Sequence, residues 1–395
     1  MSRESEGFVM LRSLQRFGVV AVLGLAGAAC VPHVPGPPAQ DPPAPAEVKV
    51  TTGDYHSCAV LTDNTVSCWG TNESGQLGDG TTTRSPVPVK VTGLANATAV
   101  SGGYRHTCAV LGDATVTCWG YNGYGQLGDG TTTNSSTPVT VSGVTNATAV
   151  SVGFAHSCAL IGDGTVSCWG RNTAGQLGDG TANSSPTPVV VSDITTATAV
   201  AVGRYHSCAA LEDGTVSCWG QNSVGQLGNG ASGTSHTPVA ADGISTATGV
   251  SADNYQSCAL LDDGTAACWG HNSYGQLGNG TTRLARTPVP VSGVTAASGM
   301  AAGRYHTCAV ADEGTVSCWG NNTSGQLGNG TTTNSSTAVA VPGIANARGV
   351  EGGTSHTCAV LDDNSVSCWG YNGGGQLGDG TTTNSTAPVT VIQLT

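Results

Sequence analysis

One period governs this chain. From about residue 46 to its last residue it consists of seven units of 50 residues, with no insertion or deletion. The register shows in a single marker, Cys68-Trp69-Gly70, which returns every 50 residues as far as Cys368-Trp369-Gly370. A fixed period in the 20–50 range marks a repeat architecture, in which one small unit stacks on its neighbours to bury a continuous core. The period also directs the search for function. A residue present in every copy serves the scaffold, whereas a site needs residues that differ.

Composition narrows the choice. Gly makes up 59 of 395 residues and charged residues only 10%. Thr, Val, Ser and Gly dominate, which suits short strands and tight turns. The formal net charge is −12, and Lys49 and Lys90 are the two lysines. A nucleic-acid surface needs clustered Lys and Arg, so no nucleic-acid partner is expected.

The N-terminal segment differs from the repeats. Arg12 and Arg16 precede an apolar run, Phe17 to Ala29, too short for a stable membrane span but suited to a secretory signal. Residues 1–29 are therefore expected to be a signal peptide, with Met10 as an alternative start. Gly27-Ala28-Ala29-Cys30 resembles a bacterial lipobox, which implies lipidation of Cys30; ordinary signal-peptidase cleavage is the alternative. Residues 30–45 hold seven prolines and read as a semi-rigid stalk. The expectation is a bacterial envelope protein, an outer-membrane or surface lipoprotein, touching the membrane only through its lipid. Free secretion is the alternative.

Apart from Cys30, the cysteines fall into seven pairs: Cys58 with Cys68, Cys108 with Cys118, Cys158 with Cys168, Cys208 with Cys218, Cys258 with Cys268, Cys308 with Cys318, and Cys358 with Cys368. In an exported chain such a set reads as disulfides. Strand geometry agrees. A three-residue hairpin loop centred on Asp163 sets Cys158 directly opposite Cys168, within bridging distance. The rival reading is a metal site made of His56, Cys58 and Cys68 and their equivalents. The fifth copy argues against it, because Gln256 replaces the histidine while Cys258 and Cys268 remain.

Each copy contains four strand-like segments. In the second copy these are residues 98–103, 106–111, 115–120 and 138–141, the last running on into the next unit. Four short strands in each of seven copies predict an all-β fold, a seven-bladed β-propeller of four-stranded antiparallel blades. The first and last copies match the middle ones rather than serving as caps. A closed ring, expected to be monomeric, follows.

The segments His106-Thr107-Cys108-Ala109, Val116 to Gly120, Asn122, and Gly125-Gln126-Leu127-Gly128-Asp129-Gly130-Thr131 recur in all copies with few changes. This wording resembles the regulator-of-chromosome-condensation repeat and implies a seven-bladed propeller. The resemblance further implies nucleotide exchange on a small GTPase and chromatin binding, as for the founding member. An acidic, exported chain with paired cysteines departs from that member. A propeller-type β-lactamase inhibitor of bacteria shares the structural class, and its location suits this chain better.

Most recurrent residues read as scaffold. Trp69 and its equivalents are expected to stack between blades, and His56, His106, His156, His206, His306 and His356 to make a backbone hydrogen bond. Asp79, Asp129, Asp179 and Asp379 alternate with Asn229, Asn279 and Asn329, as turn residues do; no calcium loop, phosphate loop or catalytic triad stands out. No catalytic residue, metal or cofactor is expected.

The copies differ most in two loops. Before the histidine stand Tyr55, Tyr104, Arg105, Phe154, Arg204, Tyr205, Tyr255, Arg304 and Tyr305. After Trp-Gly stand Tyr121, Tyr124, Arg171, His271, Tyr274 and Tyr371. Strands alternate in direction, so both loops are expected at one end of the propeller. Tyr and Arg gathered at one rim make an interaction surface. Arg283 and Arg286, in the divergent fifth copy, are expected beside Tyr255, His271 and Tyr274. The function expected is non-enzymatic binding of a protein or glycan at one face. Inhibition of a secreted or periplasmic enzyme is second, and nucleotide exchange, by family analogy alone, third.

Overall fold

The computed structural model describes residues 47–394. The expected signal peptide, Cys30 and the proline-rich stalk lie outside them. The described residues form seven antiparallel four-stranded sheets, each from one copy of the repeat. In the second copy the strands are Ala97–Gly102, His106–Leu111, Val116–Gly120 and Ser135–Thr140, paired in sequence order. The fourth strand thus starts earlier than expected and ends within its own copy instead of running on. Val141 leaves the sheet, and its N–H bonds to the Val116 carbonyl.

The hairpin between the second and third strands has the expected geometry. Cys158 pairs with Cys168, and their Cα atoms are 4.0 Å apart in a disulfide. The first three blades are alike in this, with Cys58 bridged to Cys68 and Cys108 to Cys118. The remaining bridges join Cys208 to Cys218, Cys258 to Cys268, Cys308 to Cys318, and Cys358 to Cys368. Every repeat cysteine is thereby used. The loop needs a left-handed residue at its last position. Gly164, Asn64 and Asn364 supply it, and Ala114 adopts it as well.

Alternation along the strands builds the blade interfaces. From the first blade Cys58, Val60, Val66 and Cys68 face forward, joined by Leu77 and Val91, onto Ala109 and Trp119 of the second. Ser57 and Ala59 face the other way. Trp119 is fully buried between blades, as expected, and its Nε1–H donates to the Gln76 carbonyl of the preceding blade at 2.9 Å. Gly78 makes this packing possible. It has φ +71°, and a Cβ there would lie 2.8 Å from the Trp119 ring nitrogen.

The same pattern closes the ring. Trp69 of the first blade packs with Cys358, Val366 and Leu377 of the seventh, and its Nε1–H reaches the Gln376 carbonyl at 2.9 Å. No strand is exchanged across this junction. Among the described residues, side-chain packing, hydrogen bonds and the Arg348–Glu47 ion pair join the ends.

The recurrent histidine departs from expectation. Its side-chain partner is not a backbone group but a hydroxyl of the next blade: His56 Nε2 lies 2.8 Å from Thr107 Oγ1. That hydroxyl donates to the Gln76 carbonyl, so it accepts from the histidine, which must carry its proton on Nε2. Nδ1 is left buried without a partner in all six histidines. Full burial pushes the six down to about 3 or 4, so the folded ring holds them neutral.

Candidate binding site

The innermost strands line a channel along the propeller axis, and the loops that follow them, residues 53–55 and equivalents, surround one mouth. Backbone bonds string these loops together. Asp54 N–H donates to Gly103 O at 3.0 Å, Tyr104 to Gly153 O at 3.1 Å, and Arg204 to Asn254 O at 3.2 Å. The mouth is therefore a framework with side chains chosen copy by copy.

Those side chains form an aromatic belt. Tyr55 meets Tyr104 edge-on at 6.1 Å between ring centroids, and Tyr104 stacks on Phe154 at 4.4 Å. Phe154 continues to Tyr205 at 5.7 Å and Tyr205 to Tyr255 at 6.2 Å. Beyond these, Tyr305 packs against Tyr274 at 5.1 Å and His271 at 6.0 Å, which brings the second variable loop to the same rim. Burial holds the His271 pKa below its ordinary value. The belt stops at the seventh blade, where Thr354-Ser355 replaces the aromatic position.

Guanidinium groups lie over these rings. Arg204 sits 4.4 Å from the Phe154 centroid, Arg171 about equally between Tyr124 and Tyr205 at 5.1 and 5.2 Å, and Arg304 5.3 Å from Tyr305. Arg105 lies 5.1 Å over Tyr104 and also pairs with Glu73 at 3.3 Å. Tyr121 touches Tyr124 at 6.4 Å, at the outer side of the belt. Tyr371 is exposed on the seventh blade, outside the run of ring contacts. Arg283 and Arg286 do not belong to this group. Arg286 lies on the outermost strand of its blade, Ala285–Pro290, against Gly225 of the preceding blade. The patch is peripheral because its loop leads to the strand farthest from the axis.

Inside the belt is a cavity of about 280 Å³, lined by Asp54, Arg204, Asp253, Asn254, Arg304 and Glu351 among others. Each of these departs from what most copies carry. Position 53 is Gly in six copies and Asp253 in the fifth. Burial, reinforced by Asp54, pushes Asp253 up to about 8, against the pull of Arg304 and Arg204. Asp54 is also raised by burial, opposed chiefly by Arg304. Asn254 Oδ1, Thr52 Oγ1 and the Nε atoms of Arg204 and Arg304 are buried with no protein partner. The mouth thus offers both donors and acceptors.

The fifth copy shows how such a residue is admitted. At Gly53 a Cβ would collide with the His56 ring and with Gly103 O, so the recurrent histidine demands glycine there. In the fifth blade Gln256 replaces the ring. Its Nε2 donates to Gly303 O, His306 O and Thr307 Oγ1, keeping the interblade tie. The first strand then extends to Asp253, which pairs with Gln256. Loss of the histidine and gain of the axial carboxylate are one change.

Sequence comparison among copies singled out Arg204 and Arg304; Asp54, Asp253 and Asn254 are not among the residues it put forward for the site. Glu351 escaped it. The signal was available: positions 51, 101, 151, 201, 251 and 301 hold only Thr, Ser or Ala.

Comparison with known proteins bears on the whole ring. The RCC1-like domain profile matches residues 148–395, and two profiles of the regulator of chromosome condensation (RCC1) repeat match residues 63–110 and 113–160, and 48–76 and 97–126. Among solved structures, yeast RCC1 (Prp20) bound to Kap60 superimposes with TM-score 0.75 at 20% identity, covering 83% of each chain. Prp20p of Saccharomyces cerevisiae, in a study of its binding to Gsp1p and histones, gives TM-score 0.74 at 21% identity, covering 83% of this chain and 86% of that one. Human WBSCR16 gives TM-score 0.75 at 25% identity over 83% of this chain and 94% of its own.

Proposed function

The chain belongs to the regulator of chromosome condensation repeat family, and on that premise we propose that it is a non-enzymatic binding module that grips a protein partner at the aromatic mouth. One observation carries this reading. The residues that differ between otherwise uniform blades converge on one rim, and they are Tyr, Phe and Arg, the types that anchor protein interfaces. The yeast relatives fit, since yeast RCC1 (Prp20) is seen bound to Kap60 and Prp20p was studied for its binding to Gsp1p and histones.

The proposal includes export. Seven disulfides using every repeat cysteine suit an oxidising compartment. The apolar run before Cys30 and the proline-rich stalk suit a lipid tether that holds the ring off a bacterial envelope. Replacing Cys30 by Ser tests this: the protein should leave the membrane fraction, and unchanged fractionation would refute the tether.

The binding face is tested by affinity capture from the native envelope with mass spectrometry. Arg204→Ala with Tyr205→Ala should lose the captured partner, with a cost of about 2 kcal/mol or more. Arg283→Ala with Arg286→Ala, on the perimeter, should keep it. Equal retention by both variants would place the interface elsewhere.

A further inference from the structure

Glu351 is the group in the channel that the fold does not explain. At the equivalent place four other copies use a hydroxyl to tie adjacent innermost strands: Gly102 N–H to Thr51 Oγ1 at 3.1 Å, Val152 to Ser101 at 3.2 Å, Val202 to Ser151 at 3.1 Å and Ala302 to Ser251 at 2.9 Å. Glu351 forms no such tie, and neither ion pair among the described residues involves it. The cations nearest along the chain and at the opposite end are engaged elsewhere: Arg348 with Glu47 at 3.1 Å, and Lys49 with Thr98 O at 2.9 Å. Burial alone pushes the Glu351 carboxyl up to about 7. A carboxylate in a confined channel is costly unless a cation meets it.

Charge around the cavity points the same way. Arg204 and Arg304 pull on Asp54 and Asp253 at the mouth, whereas no cation acts on Glu351 against its burial. A divalent metal is a poor candidate, because no three metal-ligating side chains converge among the described residues. Val100, Val150, Val200, Val250 and Met300 are among the lining residues, beside Ser101, Ser151 and Ser251, so the wall is chiefly polar with room for a slender stem. At the mouth, Asn254 Oδ1 and Thr52 Oγ1 line the cavity, more than nine-tenths buried and without partners. Arg204 and Arg304, whose Nε–H groups are unpartnered, line the same cavity. Together they can accept from an amide N–H and donate to a carbonyl.

We propose that the axial cavity is a socket for a lysine side chain on an extended segment of the bound partner: the ammonium meets Glu351, the stem fills the channel, and the backbone bonds at the mouth. This rests on the mouth being the binding face, yet it can be tested without the partner. The probe is Nα-acetyl-lysine N-methylamide, titrated calorimetrically into the intact protein. Its uncharged counterpart, Nα-acetyl-norleucine N-methylamide, should bind at least about tenfold more weakly. Glu351→Ser, which restores a residue type found in other copies, should weaken the lysine probe about tenfold and leave the norleucine probe unchanged, with no loss of thermal midpoint. Cadaverine, an alkyl diamine with no peptide groups, should bind more weakly than the lysine probe. Equal binding of lysine and norleucine probes, full lysine affinity in Glu351→Ser, cadaverine binding as tightly as the lysine probe, or no heat at about 10 mM probe would each overturn the socket. Capture of a partner that survives in Glu351→Ser while the probe fails would reject the socket and spare the binding face.

Discussion

The blade interfaces and the axial mouth are built from the same repeat by opposite rules. Between blades, seven copies of Trp, Leu, Cys and Gln-Leu-Gly pack with the same contacts, and every tryptophan is fully buried. At the mouth, the residues two before each recurrent histidine or Gln256 are Asp54, Tyr104, Phe154, Arg204, Asn254, Arg304 and Thr354, with little shared chemistry. Uniformity is what a closed ring requires, since each interface must turn the chain by the same amount. Diversity on top of it places seven different side chains around one axis. The difference teaches that scaffold and site here share a repeat but not residues.

The comparison breaks first under acid. The six interblade histidines are neutral when folded, with pKa values near 3 or 4, and return to about 6.5 when unfolded. The unfolded chain therefore binds more protons between these values. Stability should be complete above pH 6.5 and fall below it, by about 1.4 kcal/mol per pH unit for each histidine. Denaturant midpoints measured from pH 7.5 to 5 check this, and His206→Gln should make the slope shallower. A flat profile would mean that the histidines titrate alike in the ring and in the unfolded chain, and a stability that rises toward pH 5 would mean that the ring holds them protonated.

Next in size is Trp219→Ala, which removes a fully buried side chain between blades. It should cost about 3–5 kcal/mol in equilibrium unfolding. A smaller effect belongs to the linked pair in the fifth blade. Gln256→His should cost about 1–3 kcal/mol through overpacking against Asp253, and adding Asp253→Gly should recover most of it. Additive losses would show that the two positions are independent.

The smallest effect has the opposite sign. Glu351 has its folded value raised to about 7 from an ordinary 4.5, so the ring loses stability as pH rises from about 4.5 to about 7, and the loss levels off above that. Glu351→Ser should therefore stabilise by about 1 kcal/mol at pH 8 and less at pH 6, the gain being moderated by solvent in the channel. Thermal scans at the two pH values decide it.

Much of this was legible in the chain itself. The period gave the blade, the cysteine spacing gave a register that sets Cys158 opposite Cys168, and copy-to-copy variation pointed to the loops that form the mouth. What escaped depends on contacts between blades. The histidine's partner is a hydroxyl 51 residues away, as for His56 and Thr107, and nothing local announces it. Glu351 escapes a reading based on loop variation because it sits in a strand, Ala347–Gly352. Arg283 and Arg286 were misplaced because closeness in sequence to a variable loop says little about distance from the axis.

The central claim is that the mouth binds and the interfaces hold, and one variant tests both halves together: Asp54→Ala, Arg204→Ala, Asp253→Gly and Arg304→Ala combined. Capture from the native envelope and denaturant unfolding are measured on the same preparation. The account predicts that capture is lost while stability stays within about 1 kcal/mol of the parent. Undiminished capture, or a ring that unfolds without these four side chains, would contradict it.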